Sequence, residues 1–95
     1  MDKREITKIK KRIQALQRKL GALGPVLRGS VVLIGTRNKQ KYFSLNKDKK
    51  THLIYLGKKR EARATEYSAN YKKLLAIAEE MTILNMKLLK EDAGL

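Results

Sequence analysis

The chain has 95 residues, 42% of them apolar but only 5% aromatic, and no cysteine. That composition allows one small aliphatic core and excludes a disulfide framework or a thiolate metal site. Lys and Arg number 23 against 9 acids, a net charge of +14, which points to an anionic partner and to nucleic acid first.

The charge is unevenly spread. Residues 1–60 hold 18 basic and 3 acidic side chains, whereas residues 61–95 hold 5 and 6. The alternative is a solvated lysine surface that keeps the protein soluble, and the unequal distribution favours the functional reading over it. No apolar run approaches the roughly 18 residues that span a bilayer. The N-terminus also lacks the apolar segment of a signal peptide. A membrane partner is therefore not expected, and the cytoplasm is the expected compartment.

Residues 1–5 are charged and expected to fray. Ile6, Ile9, Ile13, Leu16, Leu20 and Leu23 then recur at spacings of 3, 4, 3, 4 and 3, the seam of a heptad helix over residues 6–23. Lys8, Lys10, Lys11, Arg12, Arg18 and Lys19 cover its remaining surface. Gly24 and Pro25 end it.

Residues 30–56 read as three short strands. Ser30–Ile34 is β-branched and apolar between two glycines, Lys41–Leu45 follows, and His52–Leu56 closes the set before Gly57. The polar connectors 35–40 and 46–51 are short enough for antiparallel hairpins, so a meander is expected. A sheet this small needs helices over one face.

From residue 61 to 90 the pattern is helical. Tyr67, Asn70, Leu74, Ile77, Met81, Leu84 and Leu88 form a seam, and Tyr71, Leu75, Ala78, Asn85 and Leu89 form a flanking stripe. Thirty residues make about 45 Å of helix against about 27 Å for the first, at 1.5 Å per residue. The excess length requires another surface, either the sheet or a second copy of the chain. Asn70 and Asn85 fall where a polar side chain fixes register or oligomeric state, or else simply faces water. Residues 91–95 read as a loose tail.

The expected fold is therefore α+β in one domain: an N-terminal helix, a three-stranded antiparallel β-meander and a long C-terminal helix. The two helices form an antiparallel coiled-coil-like pair with the sheet at its tip. A homo-oligomer is expected, a dimer first.

Little in the sequence suits catalysis. His52 is the one histidine, Asp48 is isolated among lysines, and Glu79 and Glu80 diverge around a helix. The glycines lack phosphate-loop spacing, and no metal ligands are suitably spaced. No enzymatic activity and no cofactor are expected. Binding is better supported, because ten basic residues lie between Arg28 and Arg60 against one acid. Phosphate contacts are assigned to Lys39, Lys41, Lys47, Lys49, Lys50, Lys58 and Lys59, with Arg37 and Arg60 as candidates for closer groove contacts and Arg28 flanking the sheet. Tyr42 and Tyr55 are either packed or free to stack on bases. The expected function is nucleic-acid binding, DNA ahead of RNA. The alternative is a coiled-coil adaptor serving as accessory subunit to a larger protein.

Two resemblances bear on these residues. From Leu16 to Leu89 the chain resembles an uncharacterised family of short basic prokaryotic proteins often found near transposases. The features that carry it are Leu23-Gly24-Pro25-Val26-Leu27-Arg28-Gly29-Ser30, Lys41-Tyr42-Phe43-Ser44, the strand Leu53-Ile54-Tyr55-Leu56 and Asn70-Tyr71-Lys72-Lys73-Leu74. The resemblance implies the same element order and a link to mobile elements. Members commonly carry a cysteine cluster where this chain has residues 35–40 without one, so no metal-linked role carries over. Separately, Lys41 to Arg63 is similar in outline to the sheet and helix of integrase arm-type DNA-binding domains, whose sheet sits in the major groove.

Overall fold

The structure is a computed structural model that describes residues 1–93. Helix α1 spans Lys3–Gly21, strands β1, β2 and β3 span Ser30–Ile34, Gln40–Lys47 and Lys50–Tyr55, and helix α2 spans Gly57–Lys90. The chain is α+β, and its sheet has the order β1-β2-β3 with both pairings antiparallel. It gathers into two compact units. One is Gly24–Lys72, and the other is Met1–Leu23 together with the chain from Lys73 onward. Helix α2 contributes its first half to one unit and its second half to the other.

Within Gly24–Lys72, the first half of α2 covers part of one face of the sheet and leaves Leu33 and Ile54 on that face more than half exposed. Phe43, Leu56 and Ala64 are buried together, with Leu27, Val31 and Leu45 packed against them. Ala64 is small enough to let α2 lie close over the Phe43 ring. Gly29 lies against the same ring: at φ 148°, an added Cβ would sit 2.6 Å from the Phe43 ring and 2.5 Å from the Ser44 carbonyl oxygen. The connector from α1 is bonded to α2 at two points. The Leu27 N–H donates to the Tyr67 carbonyl at 3.1 Å, and the Asn70 amide donates to the Pro25 carbonyl at 2.9 Å. Asn70 is thus a buried tether, while Asn85 faces solvent.

Strands β2 and β3 meet in a turn tighter than the six-residue connector suggests. Only Asp48 and Lys49 lie outside the ladder, with φ of 54° and 62°, and Lys47 pairs with Lys50. Two left-handed residues make a type I′ turn, whose twist matches the flanking strands.

In the other unit, α1 runs antiparallel to the second half of α2. The Met1 ammonium lies 3.7 Å from Glu91, and Arg12 pairs with Glu80. Ile13, Leu16 and Leu88 are buried between the helices, and Leu74, Ile77, Met81 and Leu84 are half-buried. The expected seams are therefore the packed ones, with Leu20 alone among the α1 positions exposed. Arg12 donates from Nε and a terminal nitrogen to the two Glu80 oxygens, at 2.6 and 2.9 Å. These hydrogen bonds hold the Glu80 carboxyl below its usual range and raise the guanidinium of Arg12. A depressed carboxyl contributes at neutral pH, and that contribution disappears as pH falls through the folded value.

The element ends differ from the periodicity for local reasons. Asp2 caps α1 by accepting from the Glu5 N–H at 2.9 Å, so the helix begins at Lys3 rather than Ile6. Helix α2 begins four residues early, at Gly57, whose φ of 60° turns the chain directly out of β3. Of the expected loose tail, residues 91–93 instead close α2. The Asp92 N–H donates to the Leu89 carbonyl and the Ala93 N–H to the Leu88 carbonyl, with Asp92 left-handed, which is a Schellman motif. Residues 94–95 lie outside the described part.

Two stability effects are expected. Asn70→Ala leaves the Pro25 carbonyl without its partner and lowers the free energy of unfolding by about 1 kcal/mol. Lys49→Gly removes a side chain from a left-handed position and raises it by about 0.5–1 kcal/mol. Urea denaturation of both variants against the parent checks the two signs.

Candidate nucleic-acid interface

Paired residues on neighbouring strands share a face, and faces alternate along each strand. Because Phe43 faces α2, so do Val31, Lys41, Leu45 and Lys47. The opposite face carries Ser30, Val32 and Ile34 from β1, Gln40, Tyr42, Ser44 and Asn46 from β2, and Thr51, Leu53 and Tyr55 from β3. This open face contains no charged residue. Its centre is the row Val32–Tyr42–Tyr55, in which the two rings meet edge to face with centroids 5.5 Å apart. Tyr55 is 46% exposed and donates from its hydroxyl to the Gln40 amide oxygen at 3.3 Å. Leu53 and Ile34 extend the uncovered apolar surface on either side.

The ten basic residues expected to bind nucleic acid therefore do not line the open sheet face. They divide between its two ends. At one end, Lys39, Lys41 and Lys58 line a single cleft with Tyr55 and Glu61. Arg37 belongs to the β1–β2 turn at that end, and Lys59 and Arg60 to the first turn of α2. At the other end the hairpin presents Lys47, Lys49 and Lys50, and the Arg28 guanidinium donates to the neighbouring Asn46 carbonyl at 3.3 Å. Seven residue steps along β2 separate the ends by about 23 Å at ~3.3 Å per residue.

The ten are not equally accessible. Lys41 is ion-paired with Glu61 and half-buried, so it is partly neutralised within the protein. The other nine are exposed. Arg63 belongs with them: it is exposed and follows Lys59 by four residues, which places both on one side of α2. That i, i+4 spacing is visible in the sequence.

The two ends share an unfavourable local electrostatic arrangement. Lys58, Lys59 and Arg60 crowd the positive end of the α2 dipole, and no acid stands in that first turn. Lys47 and Lys50 face each other directly across the ladder, where like charges destabilise. Lys49 occupies a left-handed conformation that favours glycine or asparagine. Folding alone selects for none of these choices.

Among the described residues there is no group of His, Cys, Asp and Glu close enough to hold a metal ion. His52 is exposed on the edge strand β3. Among the described residues no helix is long and apolar enough to cross a membrane. Neither a protein-family model, nor a curated protein, nor a solved structure matches the chain, so its two resemblances rest on the residues quoted for them.

Proposed function

We propose that the protein binds nucleic acid, duplex DNA ahead of RNA, through the open face of its sheet and the basic clusters at either end. The observation that supports this is the placement of cations at both ends of a sheet whose open face is uncharged and partly aromatic, in positions that disfavour the fold locally. Rules of local stability are broken most often where function requires it. The basic ends lie about 23 Å apart along the strands, against a major groove about 12 Å wide, so strands laid across the groove carry the two clusters to the phosphates on either side. Lysine predominates in both clusters, which favours phosphate contact over base reading. Arg37 and Arg60 are the candidates for closer groove contacts. A role with mobile elements follows from the resemblance alone and belongs to the same proposal.

A competing role as adaptor or accessory subunit draws on a different observation, the exposure of Leu75, Ile83, Met86 and Leu89 on α2. An apolar helix face of this kind meets another protein surface, which is either a larger partner or a copy of the chain.

The test is equilibrium binding of the purified protein to labelled duplex DNA, single-stranded DNA and duplex RNA across a salt series. The parent is expected to prefer duplex DNA. Changing Lys47, Lys49 and Lys50 together to alanine should weaken binding and reduce the slope of log K against log salt by about 0.9 for each phosphate no longer neutralised. The triple change Lys39→Ala, Lys58→Ala and Lys59→Ala should do the same from the other end. If neither triple variant alters affinity or slope, the interface is misplaced. Tighter binding to RNA or to single strands would instead move the substrate class.

A further inference from the structure

The second half of α2 has two apolar faces. One is the seam against α1. The other, rotated about a third of a turn away, is uncovered: Leu75 is 51% exposed, Met86 60% and Leu89 78%, with Ala78 and Thr82 exposed between them. We infer that this stripe is a homodimer interface, in which α2 packs antiparallel against α2 of a second copy about a two-fold axis at Thr82.

The spacing carries this. Leu75, Ala78, Thr82, Met86 and Leu89 are separated by 3, 4, 4 and 3 residues, and the series is the same read from either end. An isologous interface requires that self-complementarity, since each residue must meet its own mirror position. Antiparallel alignment at Thr82 sets Leu75 against Leu89 and the small Ala78 against the long Met86. Every layer then has comparable volume. Parallel alignment would set Ala78 on Ala78 and Met86 on Met86, leaving one layer hollow and the next overfilled. Thr82 suits the axis because its hydroxyl already donates to the Ala78 carbonyl at 2.7 Å, so its burial strands no polar group.

Charge selects the same partner. Helix α1 carries eight basic side chains against one acid, whereas Lys73–Asp92 carries three basic and four acidic. Two copies of a +14 chain repel each other least along this stretch. A strongly acidic partner would find both signs around the stripe, Glu79 as well as Lys87 and Lys90. The stripe spans about 21 Å of helix at 1.5 Å per residue, two heptads.

The chain has no cysteine, so single cysteines report the alignment directly. Under mild oxidation Thr82→Cys should cross-link to itself. Leu75→Cys and Leu89→Cys should each fail alone and cross-link when mixed. Sedimentation of the full chain, without nucleic acid, should give twice the 10.9 kDa chain mass. Met86→Lys combined with Leu89→Lys should give a monomer with the parent's helical circular dichroism. A parent that stays monomeric through the micromolar range overturns the inference and leaves the stripe to a different protein. Self-cross-linking at Leu75→Cys and Leu89→Cys, or a double-lysine variant that remains dimeric, overturns it equally. Because no nucleic acid is present, failure here leaves the nucleic-acid proposal standing, and unchanged DNA binding in the lysine-to-alanine variants leaves the dimer standing.

Discussion

Phe43 is the one phenylalanine of the chain, and it is 4% exposed beneath the first half of α2. A three-stranded sheet cannot bury a ring by itself, so some element must cover the face on which the ring lies. Once Phe43 faces α2, the two-residue period fixes the facing of the rest of the sheet. Val31 and Leu45 turn inward with it, while Tyr42, Leu53 and Tyr55 turn outward. Gly29 is required by the same contact, since a Cβ there would collide with the ring and with the Ser44 carbonyl. Ala64 is required from the other side, where a larger side chain would lift the helix. One aromatic contact therefore decides which surface of the sheet remains open.

That facing also decides where the charges go. Within the strands, Lys41 and Lys47 take the covered side, and Lys41 is neutralised by Glu61. The other cations of this unit lie in the turns, at the facing strand ends Lys47 and Lys50, and in the first half of α2. Their placement at a helix N-terminus and opposite one another on a ladder works against local stability, by a few tenths of a kcal/mol to about 1 kcal/mol at each place. A small core with one phenylalanine has little stability to spare. On the proposed reading an anionic ligand offsets that cost, whereas any exposed position would serve solubility.

The sequence is most legible where a single periodicity governs the outcome. The seams of α1 and α2 follow from spacing and the three strands from apolar runs between turn residues, and the packed helix positions are the ones the spacing selects except Leu20. It is less legible where the backbone conformation of individual residues decides. The type I′ turn at Asp48 and Lys49 lacks the Asn-Gly signal, so the hairpin reads as a longer loop. The Schellman closure of α2 uses Asp92 where glycine is usual, so residues 91–93 read as tail. The site is half legible. Its residues are all visible as a basic run, but their division between two ends is not, because it depends on which face Phe43 takes. His52, Ile54 and Leu56 against Leu53 and Tyr55 offer apolar groups on both sides, and only the helix chooses between them.

Charge segregation along the chain gives the two halves of α2 different electrostatic characters. The half over the sheet opens with three cations, and the half against α1 is close to neutral. At physiological ionic strength, exposed charges more than about 8 Å apart are largely screened. Contacts between cations and phosphate are short-range and involve counterion release, so salt weakens them steeply. Association of two +14 chains through an apolar stripe follows the other sign, because salt screens the repulsion that opposes it and leaves apolar burial intact. One helix would then carry two binding surfaces that respond to salt in opposite directions. Low salt would favour the nucleic-acid surface and higher salt the self-association, so the two can be separated in one protein without a mutation.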